Sequence, residues 1–107
     1  MELMVRVLCR PEIAAGFELA GLATDPADET TAGDTMRRLA ADPTSGIVLV
    51  EERLRRALPE ELMLRLDRLP TPIVVPFPSP SWGGPGVKEE YVMEILRQAV
   101  GYRVRPR

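Results

Sequence analysis

The sequence predicts a three-layer α/β domain, a four-stranded parallel sheet in spatial order 2-1-3-4 with helices on both faces and a last helix at the C-terminus. Two observations carry this. Residues 3–9 (LMVRVLC), 46–51 (GIVLVE) and 72–76 (PIVVP) are short, mostly apolar runs rich in branched side chains, the pattern of strands covered on both faces. Segments with helical spacing alternate with these runs through short connections, which in one sheet demand parallel strands and right-handed crossovers.

The elements follow in order. After the first strand, Pro11 and Glu12 open a helix, proline at an early position and an acid near the positive helix end. Its inward face is Ile13, Phe17 and Ala20, and Gly21 stops it. Leu22 and Ala23 make a very short second strand, and Asp25-Pro26-Ala27-Asp28 reads as a turn. A second helix is expected over residues 33–41, capped by Thr31 or Asp34, with Met36, Leu39 and Ala40 inward and Asp42-Pro43 at its end. The third strand, 46–51, is the clearest. Leu54, Leu58, Leu62, Leu66 and Leu69 mark one face of a third helical region, with Pro59 in the first turn of its main helix. Residues 77–86 (FPSPSWGGPG) read as a loop. The last helix spans residues 87–100, with Val87, Tyr91, Val92, Ile95, Leu96, Ala99 and Val100 inward; Gly101 caps it before a basic tail. The division is therefore an α/β core over 1–76, a Pro/Gly-rich loop over 77–86, and a helix with its tail over 87–107.

Composition removes several function classes. A chain of 107 residues fits one domain, and its net charge of −2 argues against general nucleic-acid binding, which needs a basic surface. The longest apolar run, 47–50, is far short of the roughly 20 residues of a membrane helix. Glu2 and Arg6 interrupt the N-terminal stretch, unlike a secretory signal. The single cysteine, Cys9, suits a reducing compartment. Histidine is absent, which removes the commonest general base, metal ligand and nucleophile partner. Lys88 is the only lysine, and it is not placed to complete a P-loop.

Ligands of such sheets bind beyond the carboxyl ends of the strands. There the sequence offers Cys9, Arg10, Pro11 and Glu12, then Glu51 and Glu52, then Pro76 and Phe77. A phosphoacceptor receiver domain needs an acidic pair, an aspartate and a lysine at these ends; Glu12 and Glu51 without a lysine fit poorly. Cys9 as a phosphate-accepting nucleophile would need small residues and free amides after it, whereas Pro11 removes an amide and Glu12 repels an anion. A buried structural cysteine is the plainer reading. Trp82-Gly83-Gly84-Pro85-Gly86 lacks the spacing of a phosphate loop. The pairs Glu51-Glu52 and Glu60-Glu61 read as solvated surface. No catalytic, cofactor or metal site is expected.

The segments PEIAAGFELAG (11–21), GIVLVE (46–51), TPIVVP (71–76) and KEEYVMEILRQAVGY (88–102) together resemble the F subunit of the V-type (archaeal-type, A/V) ATP synthase, in order and spacing over nearly the whole chain. The resemblance implies a four-stranded Rossmann-like domain with a mobile C-terminal helix. It implies a non-catalytic part of the central rotor stalk, docked on the stalk's D subunit at the cytoplasmic face of the membrane without entering it. The stalk turns inside the A/B ring of a proton- or sodium-translocating enzyme, and the terminal helix modulates ATP hydrolysis. Carried over, it points to Val92, Ile95, Leu96 and Arg97, with Arg103 of the tail, as the partner-binding residues. Gly16 and Gly21 match the first-helix glycines, for close packing and for a positive-φ stop. The competing reading is a small receiver-like regulatory domain that takes a ligand or phosphate at its strand ends.

Overall fold

The computed structural model describes residues 3–79 together with Glu94 and Arg97. Its strands are β1 (Met4–Cys9), β2 (Ala23–Pro26), β3 (Ser45–Glu51) and β4 (Ile73–Phe77), and its helices α1 (Pro11–Leu19), α2 (Ala32–Ala41), α3 (Glu52–Arg55) and α4 (Glu60–Asp67). The strands form one sheet in the order β2-β1-β3-β4, every neighbouring pair parallel. This is the architecture and strand order that the alternation of elements predicts.

Strand periodicity sorts the core onto two faces. On one, Val7, Cys9, Leu49, Val75 and Phe77 pack against Ile13, Ala14 and Phe17 of α1. On the other, Leu8, Val48 and Val50 pack against Ala32, Met36 and Leu39 of α2, Leu54 of α3, and Leu62 and Leu66 of α4. Among the described residues, the helical side chains of the first cluster all come from α1, while three helices serve the second. Val5, Ile47 and Ile73 stand side by side across β1, β3 and β4 and are only partly buried against the first cluster.

Pro11 begins α1 and Glu12 lies in its first turn, as the sequence suggests. The helix ends in a Schellman arrangement: Leu22 N–H donates to the Phe17 carbonyl at 3.0 Å and Gly21 N–H to that of Glu18 at 2.9 Å. That closure needs a left-handed residue, and Gly21 supplies it at φ +86°. Gly16 is buried within α1, and Ala20 is half-buried beside the first cluster.

The largest departure is β2, which continues through Asp25 and Pro26, residues expected to turn. β2 is one of the two edge strands, so Pro26 lies where a missing N–H is tolerated. Asp25, only 8% exposed, receives Arg6 Nε at 3.1 Å and Nη2 at 3.0 Å, with Arg38 Nη2 at 3.3 Å. An aspartate paired this way can stay in a strand. Thr31, one of the two expected caps, stands at the N-cap of α2, but its side chain makes no cap bond to the helix. Asp28 Oδ1 takes the Thr31 N–H at 2.9 Å while Thr31 Oγ1 takes the Asp28 N–H at 3.0 Å, a reciprocal capping box one turn earlier.

The leucine series is divided. Leu54, Leu58, Leu62 and Leu66 are buried in one cluster, but Pro59 stands just before α4 and splits the region into two helices. Leu69 falls beyond α4 and is 43% exposed, so it leaves the face. β4 starts one residue later than expected and runs one further, to the buried Phe77. At the opposite end of the sheet the β1–β3 register slips so that Gly46 is the extra residue between Ser45 and Ile47. A Cβ there would lie 2.8 Å from Leu3 Cβ, so the bulge requires glycine's missing side chain.

Candidate functional site

In this strand order the crevice for ligands opens between the carboxyl ends of β1 and β3, where successive crossovers diverge. Here that crevice is filled by the chain's own charges. Glu51 ends β3 and is fully buried, contrary to the solvated position expected for it. Arg10, the residue after β1, donates its backbone N–H to Glu51 Oε1 at 3.0 Å and its Nε to Oε2 at 2.9 Å, with Nη2 2.7 Å from Oε2. The correction has a physical cause: the strand order brings the two residues together, so the carboxylate exchanges water for a guanidinium and an amide.

The electrostatics follow from that geometry. Burial pushes the Glu51 carboxyl up, but hydrogen bonds from the Arg10 side chain and amide and from the Ser79 hydroxyl outweigh it and hold the group below its ordinary range. At neutral pH Glu51 is ionised with both oxygens engaged. A carboxylate in that state is a poor proton acceptor and is not free to accept phosphate or coordinate a cation.

Glu12 is exposed and 3.2 Å from Arg10, on the far side of the guanidinium from Glu51. The two acids that a receiver reading would combine are thus separated by an arginine. Glu52 is exposed and pairs with Arg56 at 3.0 Å, and Glu60 and Glu61 are exposed as expected. Among the described residues no group of three or more cysteine or acidic side chains is placed to hold a metal ion. Residues 82–86, weighed as a phosphate loop, lie outside the described residues.

Cys9 is fully buried, and its thiol is pushed up to about 12, by burial first and then by the Glu51 charge. This is the opposite of the activation a nucleophilic cysteine needs. The native protein is therefore expected to leave Cys9 unmodified by a disulfide reagent at pH 8, with full reaction in denaturant; absorbance of the released thiolate measures both.

Of the predicted partner-binding residues, Val92, Ile95, Leu96 and Arg103 lie outside the described residues. Arg97 is exposed, with Nη1 2.7 Å from Glu94 Oε2 one turn earlier. The residues that sequence reasoning missed are Arg10 and Glu51 as a pair. A signal was present: opposite charges at the ends of two strands that the predicted order makes neighbours.

Among the described residues no helix is long and apolar enough to cross a membrane. No curated protein matches the chain. The model of the family described as ATP synthase (F/14-kDa) subunit matches residues 5–95, which include every strand and helix above except the first residue of β1. With the four-stranded parallel sheet and the resemblance carried by residues 11–21, 46–51, 71–76 and 88–102, that match shows that the chain belongs to the family of the ATP synthase (F/14-kDa) subunit.

Proposed function

We propose that this chain is a non-catalytic rotor subunit of a V/A-type, proton- or sodium-translocating ATP synthase, docked on the D subunit of the central stalk within the A/B ring. The family match over residues 5–95 carries this reading. The filled crevice supports it: the place where a domain of this fold would bind a nucleotide or phosphate is occupied by Arg10 and Glu51.

The protein then acts through its surface, at the cytoplasmic side of the membrane. Residues 1–76 are the body, 77–86 the connection and 87–107 the contact segment. Val92, Ile95, Leu96, Arg97 and Arg103 meet the stalk, and the segment modulates ATP hydrolysis.

Co-expression with the D subunit of the same organism's stalk, followed by size-exclusion chromatography with light scattering, tests the assignment. A stable one-to-one complex is expected, with its affinity reduced at least tenfold when the chain is cut after Gly86. Two separate peaks at micromolar concentration would restrict the likeness to the fold.

A further inference from the structure

In a parallel sheet the N–H and C=O of one residue point to the same side of its strand, and successive residues alternate sides. The Ala27 N–H donates to the Cys9 carbonyl at 2.9 Å, so Ala23, Asp25 and Ala27 bond β1 while Thr24 and Pro26 face away from the sheet. Carried across the ladder, the same alternation turns Ile73, Val75 and Phe77 of β4 toward β3, and Val74 and Pro76 outward. Pro76 fits only the outer side, having no N–H to give β3. Among the described residues no strand lies beyond β2 or β4.

An open edge invites a further strand because it offers a row of free amides and carbonyls. These two edges offer carbonyls and hardly any amides. In β4 the outward row is Val74 then Pro76, and the same every-second-residue spacing puts Pro72 before the strand and Pro78 after it. Val74 is left as the outward donor of β4. The Pro76 ring is exposed between the buried Val75 and Phe77, so it adds little to the core. In β2 the corresponding row is Leu22, Thr24, Pro26 and Asp28. The Leu22 N–H is taken by the Phe17 carbonyl at 3.0 Å, and that of Asp28 by Thr31 Oγ1 at 3.0 Å. The β2 edge is thus closed by bonds to its own flanking turns, and the β4 edge by proline.

We propose that the proline spacing guards the β4 edge against a second copy of this chain. Two β4 strands paired antiparallel about Val74 would set residue 76 of each copy opposite residue 72 of the other, proline against proline. The central Val74 pair alone could then exchange hydrogen bonds, too little to join two sheets into one.

Light scattering on the full-length chain from micromolar to millimolar concentration tests this, comparing wild type with Pro76→Val and Pro76→Thr. Wild type is expected to stay monomeric throughout. Each variant restores one outward amide per copy, and the apparent dimer dissociation constant is expected to tighten by about tenfold or more. Hydrogen exchange is expected to show the amides of residues 74 and 76 protected at concentrations where the dimer forms and open where it does not. If the folded variants stay as monomeric as wild type, the guard is overturned. The same holds if they associate with the amides of residues 74 and 76 still exchanging freely, since the contact then lies elsewhere. If neither variant folds, Pro76 serves the strand's own conformation, and the proposal fails from that side.

Discussion

Replacing Glu51 with alanine is expected to destabilise the fold by about 3 kcal/mol, at the lower end of the 3–5 kcal/mol typical when one partner of a buried ion pair is removed. The magnitude comes from what is left behind. Arg10 loses its carboxylate while its own amide, previously bound to Glu51 Oε1, also loses its acceptor. The estimate stays low because the Arg10 side chain is 16% exposed and reaches water, and Glu12 remains as a weaker partner. Urea denaturation measures the change. Replacing both partners, Arg10→Met with Glu51→Leu, is expected to recover more than half of it, since no charge is then buried alone.

The same pair fixes a pH dependence. A carboxyl held below its ordinary range in the folded state stabilises the fold at pH values above that range, and the contribution is lost as pH falls through the depressed folded value. Acid unfolding of the wild type is expected to carry this contribution, and the Glu51→Ala variant to show a smaller loss of stability between neutral and low pH. The remaining acid limb includes Asp28, held down by Thr30 and Thr31, and Asp42, held down by Thr44. Stability curves collected from pH 7 to pH 2 for both proteins separate these terms.

The fold was legible where local pattern and tertiary context agree. The unbroken GIVLVE run lies in the central β3, and Gly21 stops α1 at the positive φ that its C-cap requires. Strand order followed from the alternation alone, because right-handed crossovers leave few arrangements. What escaped depends on partners far along the chain. Asp25 and Pro26 have turn chemistry, and it is the guanidinium groups of Arg6 and Arg38, 19 and 13 positions away, that pair with Asp25 in its strand. Glu51 looks like half of a solvated acidic pair until β1 is laid beside β3, which places Arg10 against it across 41 positions. The site was misread for the same reason: a filled crevice consists of two ordinary charged residues, and nothing in their own neighbourhoods marks them as partners.

Phe17→Ala is expected to be the most damaging single truncation on the α1 face, at about 4 kcal/mol, within the 3–5 kcal/mol of buried Phe→Ala changes. Phe17 is fully buried, and its ring meets that of Phe77 with centroids 5.2 Å apart at 58°, a tilted pair that adds to area burial. Collapse around the cavity would be limited. The other buried side chains α1 brings to this cluster are Ile13 and Ala14, whereas Met36 on the opposite face has neighbours from three helices. Met36→Ala, a comparable loss of volume, is accordingly expected to cost less, about 2–3 kcal/mol. For a chain whose total stability is about 5–15 kcal/mol, the Phe17 change consumes a large share and lowers the thermal midpoint by far more than surface substitutions do. Its effect also reaches the exit of β4, because Phe77 stands two residues before Ser79, whose Oγ accepts the Arg53 N–H at 3.2 Å. Thermal denaturation and hydrogen exchange on Phe17→Ala should therefore show a lower midpoint with faster exchange at the Arg53 amide. A loss under about 1.5 kcal/mol would mean that side chains beyond α1 support this face strongly enough to close the cavity.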